Sequence, residues 1–327
     1  MIKWLPSDEW TKRYPEINGL KRLEIGAVAS TNNPKSQALM FVSAVTNQTV
    51  ALLLRYDGCL LIVPENSRDQ CCELETKHGL IYSPDPRYLY AEILSSMCTP
   101  ASLRGVLRWD QGRGIILGER VNIDSKATVE PGATVASDCT IAAGAYIMTG
   151  ARIGPKVTVG ERSVIKENCV VGGWGFGYAL SKGKPPLRIQ HLGGVKIGRD
   201  VEIGSFTTVC SGTIDPTILE DHAKVDDHVH IAHNCHLEQG AMVIACAEVS
   251  GSVRVGARSW LGPNCSVLDR ISIGADCTVG LGAVVRKSLP DGSVVAGNPA
   301  RTLADIKLEK ERIQKLDALL QSESDRS

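Results

Sequence analysis

The chain has no excess of charge of either sign: 36 Lys and Arg are matched by 36 Asp and Glu over 327 residues. Such a balance gives no one-signed field to attract a polyanion, so no nucleic-acid partner is expected. No apolar run approaches the roughly 20 residues that cross a bilayer as a helix, so no membrane span is expected. The first residues, Met1-Ile2-Lys3-Trp4-Leu5-Pro6, have no signal-peptide core, which points to the cytoplasm. Among the eleven cysteines there is no CxxC, and the neighbours Cys71 and Cys72 are unsuited to a common ion. Neither a metal site nor a tightly bound cofactor is therefore expected.

What is present is a period of six. An aliphatic residue stands at every sixth position from Leu117 through Ile123 and Val129 to Val171, again at Ile197, Ile203 and Val209, and from Leu219 through Ile231 and Val249 to Val285. Four positions after the aliphatic residue a small one recurs, as at Ala127, Ala133, Cys139, Ala145, Cys169, Ala223, Cys235, Ala247, Cys265 and Cys277. Hexads of this kind mark a parallel β-helix of triangular section, with the aliphatic residue on each flat face pointing inward and the small residue relieving each corner. Five of the cysteines fall in that corner register and act there as compact apolar residues. Three hexads make one coil of eighteen residues, and roughly eight coils stacked at about 4.8 Å make a prism about 40 Å tall.

The period is absent from residues 1–108, which read as a separate α/β unit. Strand-like runs lie at 39–45, 49–54, 59–63 and 80–82, and helical spacing at 87–97 places Tyr90, Ile93, Leu94 and Met97 on one face. The β-helix is expected over 109–296. It is interrupted by a loop at 172–195, rich in Gly, Pro and aromatic residues, and by four extra residues around Asp215-Pro216. Loops thrown from a stiff solenoid are natural sites of function. Residues 297–327 read as a closing turn and an amphipathic helix, with Leu303, Ile306, Ile313, Leu316, Leu319 and Leu320 interleaved among charges. A lone helix of this kind is marginal, so an oligomer that buries the stripe is expected.

Four of the seven histidines crowd into Asp226-Asp227-His228-Val229-His230-Ile231-Ala232-His233-Asn234-Cys235-His236. With Val229, Ile231, Cys235 and Leu237 inward, His233 projects outward from the middle of a flat face. An outward imidazole can take a proton near neutral pH from an attacking amine or hydroxyl, as acyl transfer from a thioester requires. Eighteen residues on, one coil above His233, stands Gly251 within Ser250-Gly251-Ser252; its N–H could serve as donor to an oxyanion. Asp226 is the nearby carboxylate that could orient the imidazole. Solvated surface histidines remain the bland reading of this cluster.

The strings Asn33-Pro34, Phe41, Asp85-Pro86, Gly175-Phe176-Gly177-Tyr178-Ala179, Ile231-Ala232-His233-Asn234 and the Gly-Ser one coil on resemble the UDP-3-O-acylglucosamine N-acyltransferase (LpxD-like) family across both units. The resemblance implies a left-handed parallel β-helix with an N-terminal α/β domain and a C-terminal helix, assembled as a homotrimer. It implies N-acylation of a nucleotide-linked amino sugar, in lipid A or surface-glycan (O-antigen) synthesis, with acyl carrier protein (acyl-ACP) or acyl-CoA as the co-substrate. His233 would be the general base, Gly251 the oxyanion donor and Asp226 a supporting carboxylate. Phe41, Phe176, Gly177, Tyr178, Asn234 and His236 would line the substrates. Asn47 stands where the family has a second uracil-stacking aromatic, and Cys210-Ser211-Gly212 replaces an Asp-Arg-Gly string. The turn Gly297-Asn298-Pro299-Ala300-Arg301 also resembles that of hexapeptide acetyltransferases that use coenzyme A. Two readings of other classes stand beside this one: a metalloenzyme like the γ-class carbonic anhydrases, using His228 and His233 with a third histidine from a neighbouring chain, and a β-helical scaffold without catalysis.

Overall fold

A computed structural model describes residues 2–99, 103 and 105–324, with the side chains of 318–320 and 322–324 outside the described set. Its contacts divide the chain into two compact units. One comprises residues 1–107, 174–194 and 211–216; the other comprises 108–173, 195–210 and 217–327. Both interruptions of the hexad pattern thus group with the N-terminal residues, whereas the pattern alone had attached the loop at 172–195 to the β-helix.

In the second unit, two-residue strands alternate with two-residue turns, and the aliphatic residue of each strand is buried. Three parallel sheets result, in which each strand pairs with the one a coil away: Val209 with Ile231, Ile231 with Val249, and Val249 with Val267. Ile231, Cys235, Leu237, Val243 and Val249 are fully buried in a single continuous core. Burial of each such aliphatic side chain contributes about 1.5–3 kcal/mol, which is how a strand of only two residues can be held. The second turn residue repeatedly adopts positive φ even where it is not glycine, as at His228 (+57°), Asn234 (+60°), Cys246 (+61°) and Ser252 (+62°). Each costs about 1–2 kcal/mol of backbone strain, offset by the ladder and core that fix the corner. Arg108–Asp110 runs antiparallel to Ile115–Leu117 at one end, and Arg301–Thr302 runs antiparallel to Val294–Ala296 at the other, so at each end one of the three sheets is closed by an antiparallel strand.

The first unit is built on a five-stranded sheet in the order Asn18–Gly19, Gly79–Ser83, Leu60–Pro64, Ala38–Phe41, Ala27–Val28. Alternation along the strands sends Leu39, Leu60, Ile62 and Ile81 to one core and Ala38, Met40, Leu61, Val63 and Leu80 to another. The helix Pro86–Met97 buries Tyr90, Ile93, Leu94 and Met97, as its spacing predicts. Residues 49–54 were expected as strand. They lie instead largely within the helix Asn47–Leu53, because the Thr46 hydroxyl accepts from the Thr49 N–H (3.1 Å) and caps the first turn.

The C-terminal helix Leu303–Ser324 leaves Leu303, Leu308, Ile313 and Leu316 exposed. Of the expected stripe, the side chains of Leu319 and Leu320 lie outside the described residues. No helix among the described residues is long and apolar enough to cross a membrane.

Candidate active site

The strand His230–Ile231 ends where Ile231 plugs into the core, and the chain turns at His233-Asn234. His233 therefore stands at a corner rather than mid-face, since a two-residue strand leaves no further face to occupy. The Thr217 hydroxyl of the coil below accepts from the Asn234 N–H (2.9 Å) and holds the corner. His233 itself is half-buried and outside the core.

At that corner His233 Nδ1 lies 3.0 Å from Asn234 Oδ1. An amide oxygen only accepts, so Nδ1 carries the proton and the Nε2 lone pair is the basic one. Gly251 lies against the same ring. A Cβ built on it would fall 2.9 Å from His233 Cε1, 3.0 Å from Nε2 and 3.4 Å from Nδ1. Gly251 does not have positive φ, so the imidazole and not the backbone conformation demands glycine there. Among the described residues the Gly251 N–H has no hydrogen-bond acceptor, while its carbonyl accepts from Arg270 N (3.0 Å). A basic nitrogen and an uncommitted amide donor thus share one corner.

The other residues singled out around this cluster are occupied differently. The Asp226 oxygens accept from the Asp227 N–H (2.8 Å) and the Ala245 N–H (3.2 Å), so this carboxylate fixes turns, and Asn234 is the residue that orients the imidazole. His236 Nε2 meets Glu220 Oε1 at 2.6 Å. The His228 ring stacks on Phe206, with centroids 5.3 Å apart and planes 5° from parallel. Among the described residues no group of three His, Cys, Asp or Glu is arranged to hold a metal ion.

In the first unit, the Phe176 and Tyr178 rings pack at a tilt, with centroids 4.8 Å apart and planes 56° from parallel, and Phe176 is 88% exposed, which leaves its face available to a ligand. Arg188, which the motif does not include, holds this loop. Its guanidinium lies 4.8 Å from the Tyr178 ring centroid, and it donates to the Tyr178 hydroxyl (2.6 Å) and the Gly175 carbonyl (3.2 Å). Gly177 lies against the buried His191, where a Cβ would come within 2.9 Å of Cε1. His191 had no sequence signal of its own, because its pairing with Gly177 crosses a loop without periodicity. Phe41 packs on buried Tyr90 at 5.0 Å, and Asn47 is the first residue of its helix.

No family model matches the chain. It is similar to the UDP-3-O-acylglucosamine N-acyltransferase of Delftia acidovorans, 34% identical over 167 residues, covering 48% of this chain and 50% of that protein. Its counterpart from Hahella chejuensis is 33% identical over 156 residues, covering 47% and 44%. The chain thus spans about half the length of the curated relatives it matches. Among solved structures, the UDP-N-acetylglucosamine O-acyltransferase of Moraxella catarrhalis superposes with a TM-score of 0.53 at 19% identity, covering 63% of this chain and 80% of that one. The UDP-N-acetylglucosamine acyltransferase of Francisella novicida gives 0.52 at 20%, covering 56% and 65%. These likenesses show the fold, a left-handed parallel β-helix of hexapeptide repeats.

Proposed function

We propose that this protein is an N-acyltransferase that moves an acyl group from a thioester to the amine of a nucleotide-activated amino sugar. The observation that carries the reading is the corner at which a Nδ1-protonated imidazole, His233, meets the unengaged N–H of Gly251. The partial matches to UDP-3-O-acylglucosamine N-acyltransferases support it and favour a UDP-linked glucosamine of the lipid A route over other surface-glycan precursors.

The amine nitrogen attacks the thioester carbonyl carbon while His233 Nε2 takes its proton. The carbonyl oxygen becomes an oxyanion and accepts the Gly251 N–H, a donor that no acceptor among the described residues engages. As the intermediate collapses the C–S bond breaks, and the proton on Nε2 passes to the departing thiolate. An amide and a free thiol result, with no covalent enzyme intermediate and no metal. Asn234 keeps the imidazole in the productive tautomer, and Asp226 holds the turns on which it rests. In the first unit, the exposed Phe176 and the half-buried Tyr178 contact substrate, Gly177 gives the loop its close fit to His191, and Phe41 contributes to the nucleotide site. His236, fixed by Glu220, lines the acceptor side.

The thioester donor is acyl carrier protein or coenzyme A. The exposed Leu308, Ile313 and Leu316 are covered in a homotrimer, where three such helices shield one another. Sedimentation of Leu308→Glu/Ile313→Glu is expected to report a smaller species than the wild-type trimer; a wild-type monomer would remove this part of the reading. Mass-spectrometric detection of an N-acylated sugar nucleotide, formed by the wild type and lost in His233→Ala, tests the function itself.

A further inference from the structure

The turns of the β-helix carry a repeated device that caps the N–H of the first turn residue. In one form, found at four turns, a carboxylate directly after the inward aliphatic residue accepts from the N–H nineteen residues later, whereas Asp124 in the same slot accepts from the Lys126 N–H (2.8 Å). Glu130 does so for Thr149 (2.7 Å), Glu220 for Gln239 (3.1 Å), Asp226 for Ala245 (3.2 Å) and Glu238 for Ala257 (3.1 Å). In the other form the cap comes from an aspartate one coil above. Asp221 caps Arg199 (2.9 Å), Asp227 caps Ser205 (2.7 Å) and Asp291 caps Ala275 (2.8 Å). Each capped residue of this second group follows a glycine, namely Gly198, Gly204 or Gly274, and a Cβ on that glycine would lie 2.4–2.5 Å from the capping oxygen.

Both forms are closed at Gly251. Nineteen residues before it stands Ala232, which has no acceptor. One coil above stands Asp269, but the residue preceding Gly251 is Ser250, whose Cβ occupies the space that the second form needs empty. Asp269 is instead paired with Arg270, 3.4 Å away.

We infer that Ala232 and Ser250 are positioning residues that keep the Gly251 N–H uncapped and hence available to substrate. The inference rests on the acyl-transfer reading for its catalytic consequence and on the turn register for its geometry. A carboxylate or amide at 232 completes the cap from below, and the donor is then spent on the fold. Shortage of donors is costly at a reacting carbonyl, since loss of one oxyanion contact lowers turnover by about 10²–10³-fold.

The test compares Ala232→Asn with Ala232→Leu. Asparagine matches the reach of Asp226 and adds no charge beside His233. Leucine has the same number of side-chain heavy atoms and the same branching at Cγ but cannot accept, and the same slot already holds Ile244 and Leu268. Amide exchange at Gly251, followed by NMR or mass spectrometry in the intact protein, is expected to slow in Ala232→Asn and not in Ala232→Leu. The kcat of Ala232→Asn is expected to fall about 10²–10³-fold with KM nearly unchanged, while Ala232→Leu stays within about threefold of wild type. Unslowed exchange in Ala232→Asn overturns the capping rule. Slowed exchange with undiminished kcat, or equal losses in the two variants, overturns the positioning role. A wild type that transfers no acyl group to any sugar nucleotide defeats the functional reading instead, and the exchange measurement then decides the cap alone.

Discussion

Gly251 presses against the imidazole of His233 so closely that a single added methyl group would sit 2.9 Å from Cε1 and 3.0 Å from Nε2. These are distances at which something must move, and the ring is the mobile partner. The glycine is therefore tied to the histidine by packing, apart from any part it has as a hydrogen-bond donor.

Gly251→Ala is expected to displace the ring and lower kcat/KM about 10²-fold or more, because even a 1 Å misplacement of a reacting group has that effect. Thermal unfolding should change little, since the new methyl lies outside the core. Kinetics and calorimetry on the same preparation check both halves. Wild-type activity in the alanine variant would mean that the ring has room to spare.

Asn234→Ala removes the acceptor that holds the proton on Nδ1. The expected result is a fall in kcat of about 10-fold or more, with the fold intact and partial recovery in Asn234→Asp, whose carboxylate also accepts from Nδ1. Asp226→Ala should act chiefly on stability, by about 1–3 kcal/mol, as two turn amides lose their acceptor. Denaturant melts and steady-state kinetics separate the two effects. Equal kinetic losses with no change in stability would return Asp226 to the imidazole.

Burial pushes His78 below its ordinary 6.5. Its Nδ1 accepts from the Cys59 N–H (3.2 Å) and its Nε2–H donates to the Leu53 carbonyl (3.2 Å), which requires the neutral ring. The folded state thus binds this proton less readily than the unfolded state. Its stabilising contribution is present above about pH 6.5, declines as the pH falls below that value, and is gone once the pH has passed through the lower folded pKa. Thermal melts from pH 8 to 5 should show the first unit weakening over this window, and His78→Gln should flatten the slope. An unchanged slope in the variant would assign it to other groups.

The β-helix was legible because one physical demand, an aliphatic side chain for each face, recurs at a fixed spacing, and Ile231 and Val249 satisfy it without ambiguity. The eighteen-residue coil also carried His233 to Gly251, because a ladder turns sequence distance into contact. Where no ladder intervenes, the sequence is silent. The bond from Nδ1 to Asn234, the grip of Arg188 on Tyr178 and the contact of Gly177 with His191 depend on turn and loop geometry without a period. The strand expected at 49–54 failed for a local reason, as the hydroxyl of Thr46 starts a helix that β-branched composition alone would not suggest. Nearness in sequence suggests Asp226 as a partner of the imidazole, whereas its oxygens accept from the Asp227 and Ala245 amides.

The most direct test supplies purified protein with a UDP-linked amino sugar and an acyl-ACP or acyl-CoA, and follows the sugar nucleotide by mass spectrometry. The account predicts one added acyl group in amide linkage, one thiol released per product, and a loss of about 10³-fold or more in His233→Ala that melts like wild type. Undiminished acylation in a correctly folded His233→Ala variant would contradict it.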